Sequence, residues 1–296
     1  MQHSGSGYRL PDLPVKLMAL LLLFFYLPAF AQSSVWQISK NNKTMYIGGT
    51  VHVLQQDDYP LPEEFTQAFN RADKIVFETN MTEVRSPAFT QRMMQQMLYL
   101  PGQSLKNVLD SQTYERLREY FSDKIPMSQI DGLKPGMVVI MLSAIEFQRL
   151  GMVVAGVDEY FWRRAQDENK SIGTLETIEE QLAFIMNMGQ GNENEMIMKT
   201  LDDIEHTESM ISLLKQAWRS GAELQIKQLV LQEMIDDYPQ VYEDLLVRRN
   251  SSWMPHIEAM LDNNEIELLL VGTLHLVGDD GLLQQLRSKG YSVSHF

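Results

Sequence analysis

The 296-residue sequence contains no cysteine. No disulfide can help its fold and no lipid anchor can be attached through a lipoprotein cysteine, so stability has to come from a packed core. Basic residues are scarce: 25 Lys and Arg face 39 Asp and Glu, a formal net charge of −14. A field of that sign repels polyanions and excludes nucleic acid as an expected partner. Several familiar catalytic patterns are also missing. There is no His-Glu-x-x-His helix of the common zinc peptidases and no Gly-x-Ser-x-Gly nucleophile turn. Gly151 and Gly156 have P-loop spacing, but Val157 stands where Lys is required. Beyond residue 31 no apolar run is long enough to cross a bilayer. Met137 to Ile145 comes nearest, but Glu146, Gln148 and Arg149 interrupt it, and a buried helix is the expectation.

The first 31 residues are different in kind. Arg9 and Lys16 precede an apolar run from Leu17 to Leu27, and Ala29-Phe30-Ala31 follows. This is the pattern of a secretory signal peptide, with cleavage expected after Ala31. The run is about half of the ~20 residues a membrane span needs. A periplasmic or secreted protein of about 265 residues is therefore expected, with no membrane span after cleavage and one domain over 32–296. Loss of Arg9, Lys16 and Asp12 takes the net charge from −14 to about −15. An apolar content of 44% supplies ample core for such a domain.

The hydrophobic patterning places strands at both ends and helices between them. Val35-Trp36-Gln37-Ile38 and Met45-Tyr46-Ile47 flank Asn41-Asn42 and predict a β-hairpin. Pro62-Glu63-Glu64 opens a helix with Phe65, Ala68 and Phe69 on one face. Lys74 to Glu78 reads as a short buried strand, which completes a strand–helix–strand unit. From Ser86 to about Phe147 the period is helical. Ser171 to Glu176 reads as a strand end and turn, and Thr177 with Glu180 forms a capping box that starts the next helix. Residues 178 to 262 read as largely helical, with breaks at Gly189 to Asn194, Gly221 and Pro239. A strand from Glu265 runs into Gly272-Thr273-Leu274-His275. A helix over Gly281 to Lys289 and a strand over Tyr291 to Val293 close the chain. The fold class expected is α/β (α+β): a mixed sheet from the two terminal segments, a helical middle and a cleft at the strand ends.

Four chemically capable side chains follow predicted strands: His52, Glu78, Glu176 and His275. In open α/β sheets ligands bind beyond the carboxyl ends of the strands, so these side chains converge if their strands are parallel neighbours. Gly49-Thr50-Val51-His52 and Gly272-Thr273-Leu274-His275 are alike in residue type and context, which raises a pseudo-duplication as one reading. Two imidazoles with one or two carboxylates can hold a divalent metal, with Thr50 and Thr273 available behind them. Either histidine alone reads better as a hydrogen-bonded structural residue than as a functional one.

The ordered set Gly49-Thr50-Val51-His52, Phe77-Glu78, Gly156-Val157-Asp158, Leu175-Glu176-Thr177 with Glu180-Gln181, Arg249-Asn250 and Gly272 to Gly278 spans the mature chain. On these residues the sequence resembles the TraB/GumN family. That group is related to the Tiki metalloproteases and, more distantly, to erythromycin esterase and ChaN-like folds. The resemblance implies a metal-dependent hydrolase of a peptide or ester bond, using a divalent transition metal (Mn, Co or Zn) and a peptide or small-molecule substrate. By matching position it assigns His52, Glu78 and His275 to the metal. Glu176 becomes an added ligand or base, and Arg249 an oxyanion stabiliser or a carboxylate partner. Asn250 becomes a turn former or substrate donor, and Asp158 a support for a histidine or a helix cap. The alternative is a non-catalytic protein that sequesters a peptide, haem or other ligand in the same cleft. A non-haem iron oxygenase would also use two histidines and a carboxylate, but no cosubstrate motif accompanies them.

The remaining candidates read as structure. His206 lies among Asp202, Asp203, Glu205 and Glu208 as part of a solvated helix face. His256 and His295 receive no role. Met93, Met94 and Met97 are core or groove residues, and Trp36, Trp162, Trp218 and Trp253 are packing residues.

Overall fold

β1 (Val35–Lys40) and β2 (Lys43–Thr50) form the expected hairpin, with Lys40 opposite Lys43. Its two turn residues, Asn41 (φ 50°) and Asn42 (φ 64°), are left-handed. A two-residue hairpin turn demands that conformation, and asparagine tolerates it better than other non-glycine residues. This computed structural model describes residues 33–187, 190–204 and 206–296. The expected signal peptide lies outside the described residues, as does part of the break expected at Gly189 to Asn194.

The remaining strands are β3 (Val53–Leu54), β4 (Lys74–Phe77), β5 (Val154–Ala155), β6 (Ser171–Thr174), β7 (Glu267–Gly272) and β8 (Ser292–His295). Among the described residues, six of these eight strands make one sheet in the order β6-β4-β7-β2-β1-β8. β6, β4, β7 and β2 are mutually parallel, and β1 runs antiparallel to both β2 and β8. The sheet is thus mixed and built from both ends of the chain, as expected. One detail differs from the simplest strand–helix–strand reading: β7 from the C-terminal segment is inserted between β2 and β4. No local pattern around residues 45–78 encodes that insertion.

Alternate residues of the strands feed two separate cores, as the two-residue period of a strand requires. Trp36, Ile38, Met45, Ile47, Leu269 and Val271 face one way. There they meet Trp253, Ile257 and Leu261 of the helix Arg248–Asp262 and Leu282, Leu283 and Leu286 of the helix Leu282–Ser288. Val35, Tyr46, Ile75, Phe77, Leu268 and Leu270 face the other way. Their partners are Phe65, Ala68 and Phe69 of the helix Glu63–Arg71 and Phe161 and Ala165 of the helix Val157–Asp167. This is why Leu268-Leu269-Leu270-Val271 is an unbroken apolar run: a parallel strand covered on both faces has no polar side. Each such large side chain contributes roughly 1.5–3 kcal/mol when fully buried, and this burial does the work that disulfides do elsewhere.

The helical middle has its own core, in which Leu117 and Phe121 meet Val138, Leu142, Ile197 and Leu201. The helix Pro135–Arg149 covers Met137 to Ile145, but of those residues only Val138 and Leu142 are buried, Ala144 is exposed and the rest are half-buried, so the expected buried helix is only partly covered. Among the described residues no helix is long and apolar enough to cross a membrane.

The pairing of β3 with β5 is a feature the sequence reading did not foresee. It brings Gly156 against the loop that carries His52. A Cβ on Gly156 would lie 2.2 Å from the Val51 carbonyl oxygen and 2.3 Å from the His52 carbonyl carbon, so only glycine fits. Val157 donates its N–H to the Val51 carbonyl oxygen at 3.0 Å. The first turn of the Val157–Asp167 helix, with Asp158, is thereby laid beside His52.

Candidate active site

The four parallel strands end side by side at one edge, and each delivers a site residue within a few positions of its end. β4 is followed at once by Glu78, β6 by Leu175-Glu176, β2 by Val51-His52, and β7 by a short 3-10 turn, Thr273–His275. The strand expected to reach His275 therefore stops at Gly272, and the tight turn swings the imidazole back into the protein. Backbone bonds fix the geometry. The Glu176 N–H donates to the Glu78 carbonyl oxygen at 2.9 Å, and the Gly272 N–H donates to Glu78 Oε1 at 2.6 Å. The Thr177–Glu180 capping box is present, with Thr177 N–H donating to Glu180 Oε2 at 2.8 Å, and it pins the helix start next to Glu176.

The two Gly-Thr-x-His segments lie on neighbouring strands but are offset by one position, Thr50 pairing with Gly272 and Gly49 with Val271. Thr273 Oγ1 donates to the Thr50 carbonyl oxygen at 2.9 Å. This threonine staples the two segments together and does not stand behind an imidazole.

Arg249 is the hub. Nη2 donates to Glu78 Oε2 at 2.6 Å and to Glu176 Oε1 at 2.7 Å; Nε donates to Glu176 Oε2 at 3.1 Å. Nη1 faces the Leu245 carbonyl oxygen at 3.3 Å and His275 Nε2 at 3.0 Å. All five N–H donors of the guanidinium are engaged with protein groups, so Arg249 binds carboxylates here and has no donor left over. Glu176 is also fully engaged, since Oε2 accepts from Trp253 Nε1 at 3.1 Å as well as from Arg249. It sits behind the guanidinium as an anchor. A π-helical stretch, Glu243–Val247, immediately precedes the helix Arg248–Asp262. Such insertions turn the following residues relative to a regular helix and recur at functional sites.

Asn250 Nδ2 donates to the carbonyl oxygens of His275 and Asp280, both at 3.0 Å. That fixes the amide orientation, so Oδ1 is the atom 2.7 Å from His275 Nδ1. An amide oxygen only accepts; His275 therefore carries its proton on Nδ1 and presents the Nε2 lone pair to the site. Burial lowers the affinity of this ring for a second proton to a pKa of about 3, with Arg249 and His52 reinforcing and Glu78 opposing. His275 is a neutral imidazole.

Burial works against the charge of Glu78, yet the Arg249 guanidinium, His52 and the Gly272 amide outweigh it and hold its carboxyl well below the usual range. Burial pushes the Glu176 carboxyl up, with Glu78 adding to the rise and Arg249 and Trp253 opposing it. His52 is the outer member, with a side chain 68% exposed and Nδ1 3.3 Å from Asp158 Oδ1. The Asp158 carboxylate raises its pKa above the ordinary histidine value.

The structure therefore gathers His52, Glu78, Glu176, Arg249, Asn250, His275 and Asp158 at one place. Trp253 was missed as a functional residue. Its ring centre lies 4.4 Å from that of His275, and the Arg249 guanidinium sits 4.7 Å over its face. The signal was present: Trp253 follows Arg249 by four residues on one helix, which puts the two side chains on the same face. His206 and His256 are exposed, and His295 packs on Trp36, all away from the site.

A small void beside Gly272 is the common meeting point. A Cβ on Gly272 would lie 3.3 Å from Glu78 Oε1, 3.6 Å from His275 Cδ2 and 4.0 Å from His52 Nε2. Two imidazoles and a carboxylate are donors that suit a divalent transition metal. His275 Nδ1 is hydrogen-bonded to Asn250, which is the support that metal-binding histidines receive; His52 Nδ1 lies 3.3 Å from Asp158 Oδ1 without a hydrogen bond between them. The residues fit a metal in kind, but His275 Nε2 already faces Arg249 Nη1 at 3.0 Å, so a metal would have to displace that bond. They are spread wider than a closed site: His275 Nε2 and Glu78 Oε1 are 4.0 Å apart, and among the described residues no three His, Asp or Glu side chains are drawn into a metal-ready cluster.

Compared with known proteins, residues 34–295 match the TraB/PrgY/gumN family along nearly the whole chain. The chain belongs to the TraB/PrgY/gumN family. Among its relatives, the uncharacterized protein YbaP of Escherichia coli (strain K12) is 25% identical over 259 residues, covering 83% of this chain and 89% of YbaP. The metalloprotease TIKI1 of Danio rerio is 22% identical over 318 residues, covering 89% of this chain and 63% of TIKI1. TIKI2 of the same fish is 22% identical over 307 residues, covering 84% of this chain and 58% of TIKI2. No solved structure matches this TraB/PrgY/gumN chain.

Proposed function

We propose that this TraB/PrgY/gumN protein is a hydrolase of a peptide or ester bond, exported to the periplasm or secreted after cleavage at Ala31, and dependent on one divalent transition metal such as Mn, Co or Zn. His52, Glu78 and His275 hold the metal. The observation that carries this reading is the convergence of two imidazoles and a carboxylate at the strand ends: Asn250 fixes His275 as its Nδ1–H tautomer, and Glu78 Oε1, His275 Cδ2 and His52 Nε2 all lie within 4.0 Å of where a Gly272 Cβ would stand. The distant likeness to two proteins named metalloproteases supports the same chemistry.

A metal bound there supplies a Lewis acid for the scissile carbonyl and a more acidic bound water. The protein's own groups do the rest. Asn250 keeps His275 in the tautomer whose lone pair faces the site. Glu176 and Trp253 hold the Arg249 guanidinium, which in turn fixes Glu78 and keeps it ionised. Asp158 orients His52 at the mouth, where substrate enters.

The test is elemental analysis by mass spectrometry of the purified mature protein beside its His52→Ala and His275→Ala variants, after exposure to Mn, Co, Zn or Fe. About one metal ion per chain in the wild type, lost in both variants, is expected. A wild type that stays metal-free after all four additions overturns the metal dependence. The noncatalytic alternative, a ligand-sequestering protein, then becomes the better reading if peptide and ester substrates also stay intact.

A further inference from the structure

Next to His52 and Glu78 the surface folds into a recess of about 210 Å³. Its lining includes the apolar side chains Phe77, Met81, Val84 and Leu270, together with Gln181. We propose that this recess is the specificity pocket of the site: it receives one uncharged, apolar side chain of the substrate, and the Thr79 hydroxyl bonds to the adjoining main-chain amide. The proposal rests on the hydrolase reading and adds the class of residue that flanks the cleaved bond.

Three observations lead to it. The recess is below the roughly 300–1,000 Å³ of pockets that take whole drug-sized ligands, which fits one side chain and excludes a haem or a nucleotide. Its charges are paired in sign: Glu78 accepts from Arg249 at 2.6 Å, and Asp158 forms an ion pair with His52 at 3.3 Å, although its Oδ1 makes no hydrogen bond. A charged substrate side chain would lose its water there without gaining an unpaired counter-charge. The third observation is Thr79, which lines the recess, is only 4% exposed, and has a hydroxyl oxygen with no hydrogen-bond partner among the described residues. Buried hydroxyls are normally satisfied. A hydroxyl both donates and accepts, so it can meet either the N–H or the carbonyl of a peptide. Met81 adds a flexible thioether that adapts to more than one apolar shape.

The pocket is tested by binding, without turnover. The mature protein carries methyl-labelled methionine, and a Met81→Leu variant identifies the Met81 signal. N-acetyl-leucine amide, N-acetyl-lysine amide and N-acetyl-aspartate amide are titrated in turn and followed by NMR. The leucine amide is expected to move the Met81 methyl signal, and the two charged amides are expected to leave it in place. Val84→Trp fills the recess and removes the leucine response. Thr79→Val, which deletes an unpaired hydroxyl and keeps the shape, retains the fold but weakens leucine amide binding roughly 2- to 10-fold. A Met81 signal unmoved by all three amides, or moved equally by lysine and leucine, overturns the proposal; unchanged affinity in Thr79→Val overturns the role of the hydroxyl. Leucine amide binding in a protein that cleaves nothing would sink the hydrolase reading alone. Cleavage without preference for apolar residues would sink the pocket alone.

Discussion

Asn250 holds His275 at both ends. Its Oδ1 accepts the ring proton from Nδ1 at 2.7 Å, while its Nδ2 donates to the carbonyl oxygen of the same residue at 3.0 Å. The ring is thereby fixed in tautomer and in position, and the Nε2 lone pair is what the site receives. Replacing Asn250 with Ala leaves Nδ1 and the carbonyl oxygen of His275 without partners, while the Asp280 carbonyl keeps its bond from Gln285 Nε2 at 2.8 Å. A stability loss of about 2–4 kcal/mol is expected from those unmet groups, read as a lower urea midpoint. Nitrogen NMR of the His275 ring is expected to show the Nδ1–H form alone in the wild type and a mixture of tautomers in Asn250→Ala. A single unchanged tautomer in the variant would disprove the positioning role.

Arg249 and a metal ion compete for the same lone pair, because Nη1 faces His275 Nε2 at 3.0 Å. Arg249→Gln removes a positive charge beside the void. A unit charge about 4 Å away is worth about 4 kcal/mol at an effective dielectric constant near 20. The variant is therefore expected to bind Mn or Zn at least about tenfold more tightly by calorimetry. It is also expected to be less stable when metal-free, since Glu78 and Glu176 lose their shared cation; breaking a buried pair of this kind costs about 3–5 kcal/mol. Weaker metal binding together with undiminished stability would remove Arg249 from the hub.

The strand ends were readable because each carries a local signature. An apolar run, a glycine and then a polar residue mark β2 and β7, and an apolar run ending in a carboxylate marks β4. The two-residue period and the Asn41-Asn42 turn gave the hairpin, and the Thr177–Glu180 spacing gave the helix start beside Glu176. Long-range order left no such mark. Nothing near β4 reveals that β7, nearly two hundred residues later, separates it from β2. The β3–β5 pairing consists of two residues on each side and falls below any periodicity. The roles of Glu176 and Arg249 were open in the sequence because both can react or pair. Only the count of engaged donors and acceptors shows that they face each other. Trp253 has an apolar side chain with one donor, and only its contacts with Glu176, Arg249 and His275 distinguish it from the other tryptophans.

Glu146 provides a pH handle remote from the site. It is buried on the helix Pro135–Arg149, accepting from Tyr120 Oη at 2.6 Å and from Arg149 Nε at 2.6 Å. Burial opposes its charge, but these two hydrogen bonds and the Arg149 charge hold its carboxyl below the ordinary glutamate value. A carboxyl depressed in the folded state contributes stability above its unfolded pKa, and that contribution is lost as the pH falls through the folded value. Glu146→Gln is therefore expected to cost about 1–2 kcal/mol at neutral pH and progressively less below about pH 4. Urea midpoints of both proteins at pH 7.5 and in acid check this. A gap that stays constant or widens in acid contradicts the assignment.

Gly272→Ala separates the site from the fold. The Gly272 backbone has φ −51° and ψ 135°, which any residue adopts, so the added methyl meets no backbone strain. Its nearest neighbours would be Glu78 Oε1 at 3.3 Å, His275 Cδ2 at 3.6 Å and His52 Nε2 at 4.0 Å. Only the first is tight, and the change in stability is expected to stay within about 1 kcal/mol, with gains from the stiffer unfolded chain offsetting the crowding. The methyl nevertheless occupies the space the three donor side chains share. Metal uptake and hydrolysis are both expected to fall by at least about tenfold while thermal unfolding barely moves. Gly156→Ala is the opposite case. Its methyl would press on the Val51 carbonyl oxygen at 2.2 Å and force the His52 loop off its helix. That variant is expected to unfold at clearly lower temperature and to lose activity with it. If Gly272→Ala kept full metal binding, the void beside Gly272 would not be the metal position, even with both histidines intact.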